Sequence, residues 1–255
     1  MATILQELIA LSGKRIWFAH QSVGSMIMHG PAENDAAGLV KIFDDNPTGG
    51  VSNVTEPANI SAIPPGTWAD SFNGTNIFPY GKVSAFNTAV RTTFSGQLDY
   101  AILKFCWVDF GITGAGTSEV VTESDADTFW TTYKSVMDAL EVDFPGRIIY
   151  CTVPLTPSAN GDTYNDLREY FSNKIRTEYG STDRVFDVAD FESRNSSGQL
   201  ILDGDSVRQM HVDWDGGDGG HPNVAGANML GEKLLTVVYN TLTAGNSSCC
   251  IIVYG

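Results

Sequence analysis

Residues 15–26 read RIWFAHQSVGSM. Ile16 to Ala19 is a short apolar run with Ile and aromatics and no clean alternation, the pattern of a strand buried on both faces. It stops at a small polar knot of His20, Gln21 and Ser22, followed at once by Gly24. A serine there is either a hydroxyl in a turn or a nucleophile at the end of a strand. In open parallel sheets, sites lie beyond the carboxyl ends of the strands. The choice therefore depends on what the rest of the chain supplies.

Similar runs recur at 99–108 (DYAILKFCWV) and 147–155 (RIIYCTVPL), with a weaker one at 184–190 (RVFDVAD). Helical patterns fall between and after them. Val83, Phe86, Val90 and Phe94 recur at spacings of three and four, as do Phe129, Trp130, Tyr133, Val136, Met137 and Leu140. Ser124 to Asp127 reads as an acidic helix start, and Pro145-Gly146 as a stop. Residues 165–180 end on a glycine suited to a helix C-terminus. A last helix is expected from Asn223, after Pro222, to about Leu242. Strands alternating with helices imply right-handed βαβ units and a parallel sheet covered on both faces. The stretch 45–81, rich in Gly, Pro and Asn, shows little periodicity and reads as a long functional surface loop.

The 255 residues suit one domain spanning 1–255, large enough to bury a sizeable core. Thirty acidic and 15 basic residues give a net charge of −15, which disfavours nucleic acid and anionic membranes as partners. No apolar run reaches about 18 residues, so no transmembrane helix is expected. The start, MATILQELIALSGK, lacks the basic leader and long apolar core of a signal peptide; a soluble chain, cytoplasmic or exported with its leader removed, fits. Cys106 and Cys151 lie in apolar runs and read as buried thiols. Cys249 and Cys250 are adjacent near the tail. No CxxC occurs, so a structural zinc is not expected. Oligomeric state has no signature.

The other informative stretch is HVDWDGGDGGHPNVAG, residues 211–226. Asp218 and His221 stand three apart, separated by two glycines, just before a helix start. That spacing lets the carboxylate hold the imidazole Nδ1–H, leaving Nε2 free to take a proton from a hydroxyl. A polar Gly-rich turn with a helix cap is the plainer alternative for the same residues.

A Ser after the first strand and a D-x-x-H before the last helix together resemble the SGNH (GDSL-type) hydrolases. FAHQSVG, GKV, KFCWVDF, TVPL, FDVADFES and DGGHPN fall in the order of an uncharacterised bacterial branch of that superfamily, from about residue 14 to 240. The resemblance implies a three-layer α/β/α sandwich with a central parallel sheet, flavodoxin-like in outline. It also implies a serine esterase without metal or organic cofactor, acting on small esters or acylated saccharides. It makes Ser22 the nucleophile, His221 the base and Asp218 its orienting acid. The family's Gly-Asp-Ser is here His20-Gln21-Ser22. The Ser22 and Gly74 backbone N–H groups would serve the oxyanion. The family's third block supplies an Asn, but residues 105–109 read FCWVD, so either Asn76, two residues after Gly74, supplies that donor or the oxyanion hole has only two members. One such donor is worth roughly 2.7–4 kcal/mol in the transition state.

Rival assignments are weaker. His20 shares a side of extended chain with Ser22 but reads as a buried histidine bracing the loop. His29 and His211 show no partner pattern. Asp203, Asp205, Asp213, Asp215 and Asp218 do not match a calcium loop and read as a solvated acidic stretch. Asp109, at a strand end, reads as a brace for the loop. No G-x-S-x-G elbow, G-x-G-x-x-G or P-loop occurs. Trp68, Tyr80, Trp107 and Trp214 offer flat surfaces suited to a sugar ring, with loop or core packing as the alternative. The rival function is a non-catalytic carbohydrate-binding or scaffold member of the same fold.

Overall fold

A computed structural model describes residues 2–114, 119–157 and 164–247 of the chain. Cys249 and Cys250 lie outside them. The strands are β1 (Arg15–His20), β2 (Ser52–Thr55), β3 (Thr67–Phe72), β4 (Tyr100–Leu103), β5 (Ile148–Cys151) and β6 (Val185–Phe186). They form one parallel sheet in the order β2-β3-β1-β4-β5-β6. The helices are α1 (Ile4–Leu11), α2 (Ser22–His29), α3 (Gly38–Asp45), α4 (Pro79–Thr88), α5 (Glu123–Asp143), α6 (Asn165–Tyr179), α7 (Val188–Glu192) and α8 (Val224–Ser247).

Side-chain alternation along β1 divides the core in two. Trp17 and Ala19 pack with Phe86 of α4, Phe129 and Tyr133 of α5 and Phe171 of α6. Ile16 and Phe18 pack with Leu8 of α1, Val23 and Ile27 of α2, Leu39 of α3 and Leu234 of α8. The result is the expected three-layer α/β/α sandwich. Each fully buried Leu, Ile or Phe contributes about 1.5–3 kcal/mol, so both helical layers are needed to hold the sheet.

Two expectations need correction. Residues 45–81 are not a plain loop, because β2 and β3 lie within them. The polar residues Asp70 and Ser71, which are buried and paired, hide the strand TWADSF in the sequence. Ser71 Oγ accepts from Trp17 Nε1 at 2.8 Å, and Asp70 is ringed by donors. Trp68 is fully buried in β3 and offers no surface to a sugar. The cap of the long helix α5 lies two residues before Ser124, the start its acidic residues suggest. Thr122 caps it, in a reciprocal box with Asp125 (Asp125 N to Thr122 Oγ1, 3.1 Å; Thr122 N to Asp125 Oδ2, 2.9 Å).

Candidate active site

The carboxyl end of β1 runs directly into α2, and Ser22 is the first residue of that helix. The turn is tight: a Cβ on Gly24 would fall 2.2 Å from His20 Cβ, so only glycine lets the helix fold back on the strand end. The Gln21 carbonyl accepts from Gly24 N at 2.7 Å and Ser25 N at 3.1 Å. The Ser22 N–H is one of the helix's unpaired first-turn donors, and it has no protein acceptor among the described residues. A helix N-terminus of this kind favours negative charge beside it.

The 211–223 loop delivers the second group. Asn223 pins it, donating from Nδ2 to Asp213 O (2.8 Å) and Asp215 O (3.1 Å), while its Oδ1 accepts from Gly226 N at 2.9 Å and starts α8. Gly216 N donates to His221 O at 2.8 Å, closing the turn. Within it, Asp218 Oδ2 lies 2.7 Å from His221 Nδ1, and Asp218 Oδ1 accepts from His221 N at 3.1 Å. His221 Nε2 lies 2.9 Å from Ser22 Oγ. With Nδ1–H donating to the carboxylate, Nε2 carries the lone pair that accepts the Ser22 proton. Burial pushes the Asp218 carboxyl up, but hydrogen bonds from the His221 ring and backbone and from Gly220 outweigh it and hold it below its ordinary value.

The third part is the turn after β3. Gly74 has φ +67°, in the left-handed region, and a Cβ there would lie 2.9 Å from Lys82 Cγ. The Gly74 N–H has no protein acceptor among the described residues. Behind this turn sits a buried ion pair, Lys82 Nζ to Asp109 Oδ2 at 2.5 Å, with both side chains fully buried. Lys82 Nζ also donates to Asn76 Oδ1 at 2.9 Å. Asp109 accepts from Ile77 N at 2.9 Å and Cys106 N at 2.7 Å, tying the loop after β4 to the 74–77 turn. The Asn76 carbonyl oxygen is therefore fixed by a cation, and its Nδ2 keeps its donors free of protein acceptors among the described residues.

In the sequence Cys106 lies in an apolar run, the pattern of a core thiol. It is buried, but its Sγ is 3.7 Å from Ser22 Oγ, so it forms a wall of the site. The signal was its place in the block where the family pattern has an Asn. The Trp107 ring rests on the Arg168 guanidinium, 5.5 Å from centroid to Cζ, and its indole edge abuts Gly220, next to His221. Arg168 Nε donates to Trp107 O at 3.0 Å. Tyr80 packs edge-on against Phe129. Trp214 donates its indole N–H to Arg194 O and lines a separate cavity of about 310 Å³ with Phe191 and Met229.

His20 is buried and both its ring nitrogens are committed away from Ser22: Nδ1 lies 3.0 Å from Gln21 O and Nε2 3.1 Å from Asp70 Oδ2. His29, which showed no pattern in sequence, shares that carboxylate, Nε2 to Asp70 Oδ2 at 3.1 Å, and meets Asp35 Oδ1 at 2.6 Å through Nδ1. His211 Nδ1 accepts from Asp213 N at 3.1 Å within its own loop. Among the described residues, no group of three His, Cys, Asp or Glu side chains is arranged to hold a metal ion. Among them too, no helix is long and apolar enough to cross a membrane.

No protein-family model matches the sequence, and no curated protein matches it significantly. Solved structures do. An acetyl xylan esterase, AlAXEase, aligns with a TM-score of 0.53 at 16% identity, over 88% of this chain and 98% of its own. A lipase/acylhydrolase from Enterococcus faecalis aligns with a TM-score of 0.50 at 11% identity, over 89% and 96%. At such identities the likeness establishes a shared fold.

Proposed function

We propose that this chain, which has the fold of the SGNH (GDSL-type) hydrolases, is a serine hydrolase of oxygen esters. The observation that carries the reading is the unbroken chain from Ser22 Oγ through the His221 ring to the Asp218 carboxylate, at 2.9 and 2.7 Å. Ser22 Oγ attacks the acyl carbon while its proton passes to His221 Nε2. Asp218 stabilises the imidazolium that forms. The developing oxyanion is met by the Ser22 and Gly74 N–H groups, with Asn76 Nδ2 as third donor. His221 then protonates the departing alkoxide, and a water activated by the same ring releases the acyl group as acid.

For the substrate we infer short acyl esters, acetyl above all, carried on saccharides. The net charge of −15 disfavours strongly anionic substrates. One of the fold's solved relatives is an acetyl xylan esterase, and that likeness points the same way. Trp107 borders the His221 turn, whereas Tyr80 packs on Phe129 and Trp214 donates to Arg194 O.

A fluorophosphonate probe should label the parent at Ser22 and leave Ser22→Ala unlabelled, while p-nitrophenyl acetate is cleaved faster than the palmitate. No labelling and no turnover of either ester would favour a non-catalytic binding protein. Faster cleavage of the palmitate, with no acetate released from acetylated saccharides, would overturn the substrate class alone.

A further inference from the structure

Two successive carbonyls of the turn after β3 face one side chain. Gln21 Nε2 donates to Gly74 O at 2.7 Å and lies 3.3 Å from Asn73 O. Gln21 is the residue between His20 and Ser22, and its side chain makes no capping bond to α2. Its main-chain carbonyl already starts the helix. The amide group is thus free of the helix and committed to the neighbouring turn.

The turn is gripped from the other side as well. Asn73 N donates to His20 O at 2.9 Å, and Asn73 Nδ2 donates to Lys82 O at 2.9 Å. The Gly74 Cα packs so closely on Lys82 that a Cβ would come within 3.0 Å of its Cα. Lys82 therefore backs the turn, and Gln21 holds its open face. What remains unheld is the Gly74 N–H.

We propose that Gln21 is the positioning residue of the oxyanion turn, its amide N–H groups orienting the 73–75 peptides so that the Gly74 N–H is presented beside Ser22. This rests on the hydrolase reading above. The chemistry explains the departure from Gly-Asp-Ser. A carboxylate at position 21 could only accept, and it would repel both carbonyls; a carboxamide donates to them. An oxyanion donor works only if it is fixed before the charge develops, so the group that fixes it acts on kcat rather than on ground-state binding.

The test compares the parent, Gln21→Met and Gln21→Glu on p-nitrophenyl acetate, with Ser22→Ala alongside. Gln21→Met keeps the volume and removes the donors; it should lower kcat about tenfold with KM within about twofold. Gln21→Glu should lose about a hundredfold at pH 8, where the introduced group is a carboxylate. Its ratio to the parent should climb as the pH falls and the introduced carboxyl gains a proton to donate, whereas the Gln21→Met ratio should stay flat. Hydrogen exchange should quicken in peptides covering 73–76 in both variants, with melting temperature nearly unchanged. Parent-like kcat in both variants, with Ser22-dependent turnover intact, overturns this inference alone. Turnover in the parent that survives Ser22→Ala overturns it together with the triad reading. Equal, pH-independent losses in both variants accompanied by a lowered melting temperature would show a packing role and overturn it too.

Discussion

Ser22 Oγ and His221 Nε2 are 2.9 Å apart although 199 residues separate them in the chain. One comes from the first turn of the helix after β1, the other from the loop that starts the last helix. The contact exists only when the whole sandwich has closed. His221→Ala should therefore reduce ester turnover by about 10⁴–10⁶, nearly as much as loss of Ser22, in a protein that still folds. The Asp218 side chain is 54% exposed, so water can partly replace its support of the ring. Asp218→Asn should cost less, at most about 10⁴. Steady-state kinetics on p-nitrophenyl acetate, with circular dichroism to verify folding, checks the order. An Asp218→Asn loss larger than that of His221→Ala would contradict it.

His29 predicts how stability varies with pH. Burial disfavours its charge, but hydrogen bonds and attraction from Asp70 and Asp35 outweigh that and hold its pKa up at about 9. Burial likewise pushes the Asp70 carboxyl up, and the donors His20, His29 and Asn53 bring it far below its ordinary value. The raised His29 value contributes stability that is fully present below about 6.5, the unfolded value, and is lost as pH rises through about 9. The lowered Asp70 value contributes stability present above about 3.8 and lost only in stronger acid. Melting temperature should accordingly decline between pH 6.5 and 9 in the parent, and His29→Gln should be less stable at pH 6 and show a flatter decline. Equal slopes in the two proteins would remove His29 as the cause.

Much of this was legible in the sequence, for reasons that differ along the chain. The strands β1, β4 and β5 are buried on both faces, so their apolar runs stand out; α4 and α5 show their periodicity because one face of each meets the core. The D-x-x-H spacing was readable because Asp218 and His221 meet within a single turn of chain. The residues that stayed hidden depend on distant partners. Asp70 looks like a loop carboxylate until His20, His29 and Asn53 converge on it, which concealed β3. Cys106 could not be distinguished from a core thiol until Ser22 was folded against it. Trp68 and Trp107 are both Trp next to apolar residues, yet Trp68 lies within β3 and fills the core, whereas Trp107 lies beyond the end of β4 and abuts the His221 turn.

The Lys82–Asp109 pair predicts a stability effect. Both side chains are fully buried, and Asp109 also accepts from Ile77 N and Cys106 N. Removing one partner leaves an uncompensated buried charge, which costs about 3–5 kcal/mol. Lys82→Met should lower the free energy of urea unfolding by about that amount. The double variant Lys82→Met/Asp109→Leu should recover part of it, because neither charge is then stranded. Additive losses in the double variant would mean that the two groups do not act as a pair.

Asn76 carries the last prediction. The block that usually supplies an oxyanion Asn here ends in Val108 and Asp109, and Asp109 is committed to Lys82, Ile77 and Cys106. Asn76 Oδ1 accepts from Lys82 Nζ at 2.9 Å, so the buried ammonium both fixes the amide and polarises its N–H groups. A donor prepared in that way can meet a developing charge without reorganising. Asn76→Ala should lower kcat by about 10²–10³ with little change in KM. Asn76→Asp separates the donor from the anchor: it keeps the contact with Lys82 but replaces the N–H groups with an acceptor, so its loss should be at least as large. A transition-state analogue such as a trifluoromethyl ketone should lose affinity in parallel with kcat, because it presents the same oxyanion to the site. If both variants hydrolyse acetate esters at the parent rate, the oxyanion is served by the Ser22 and Gly74 N–H groups alone, and Asn76 only packs against Lys82.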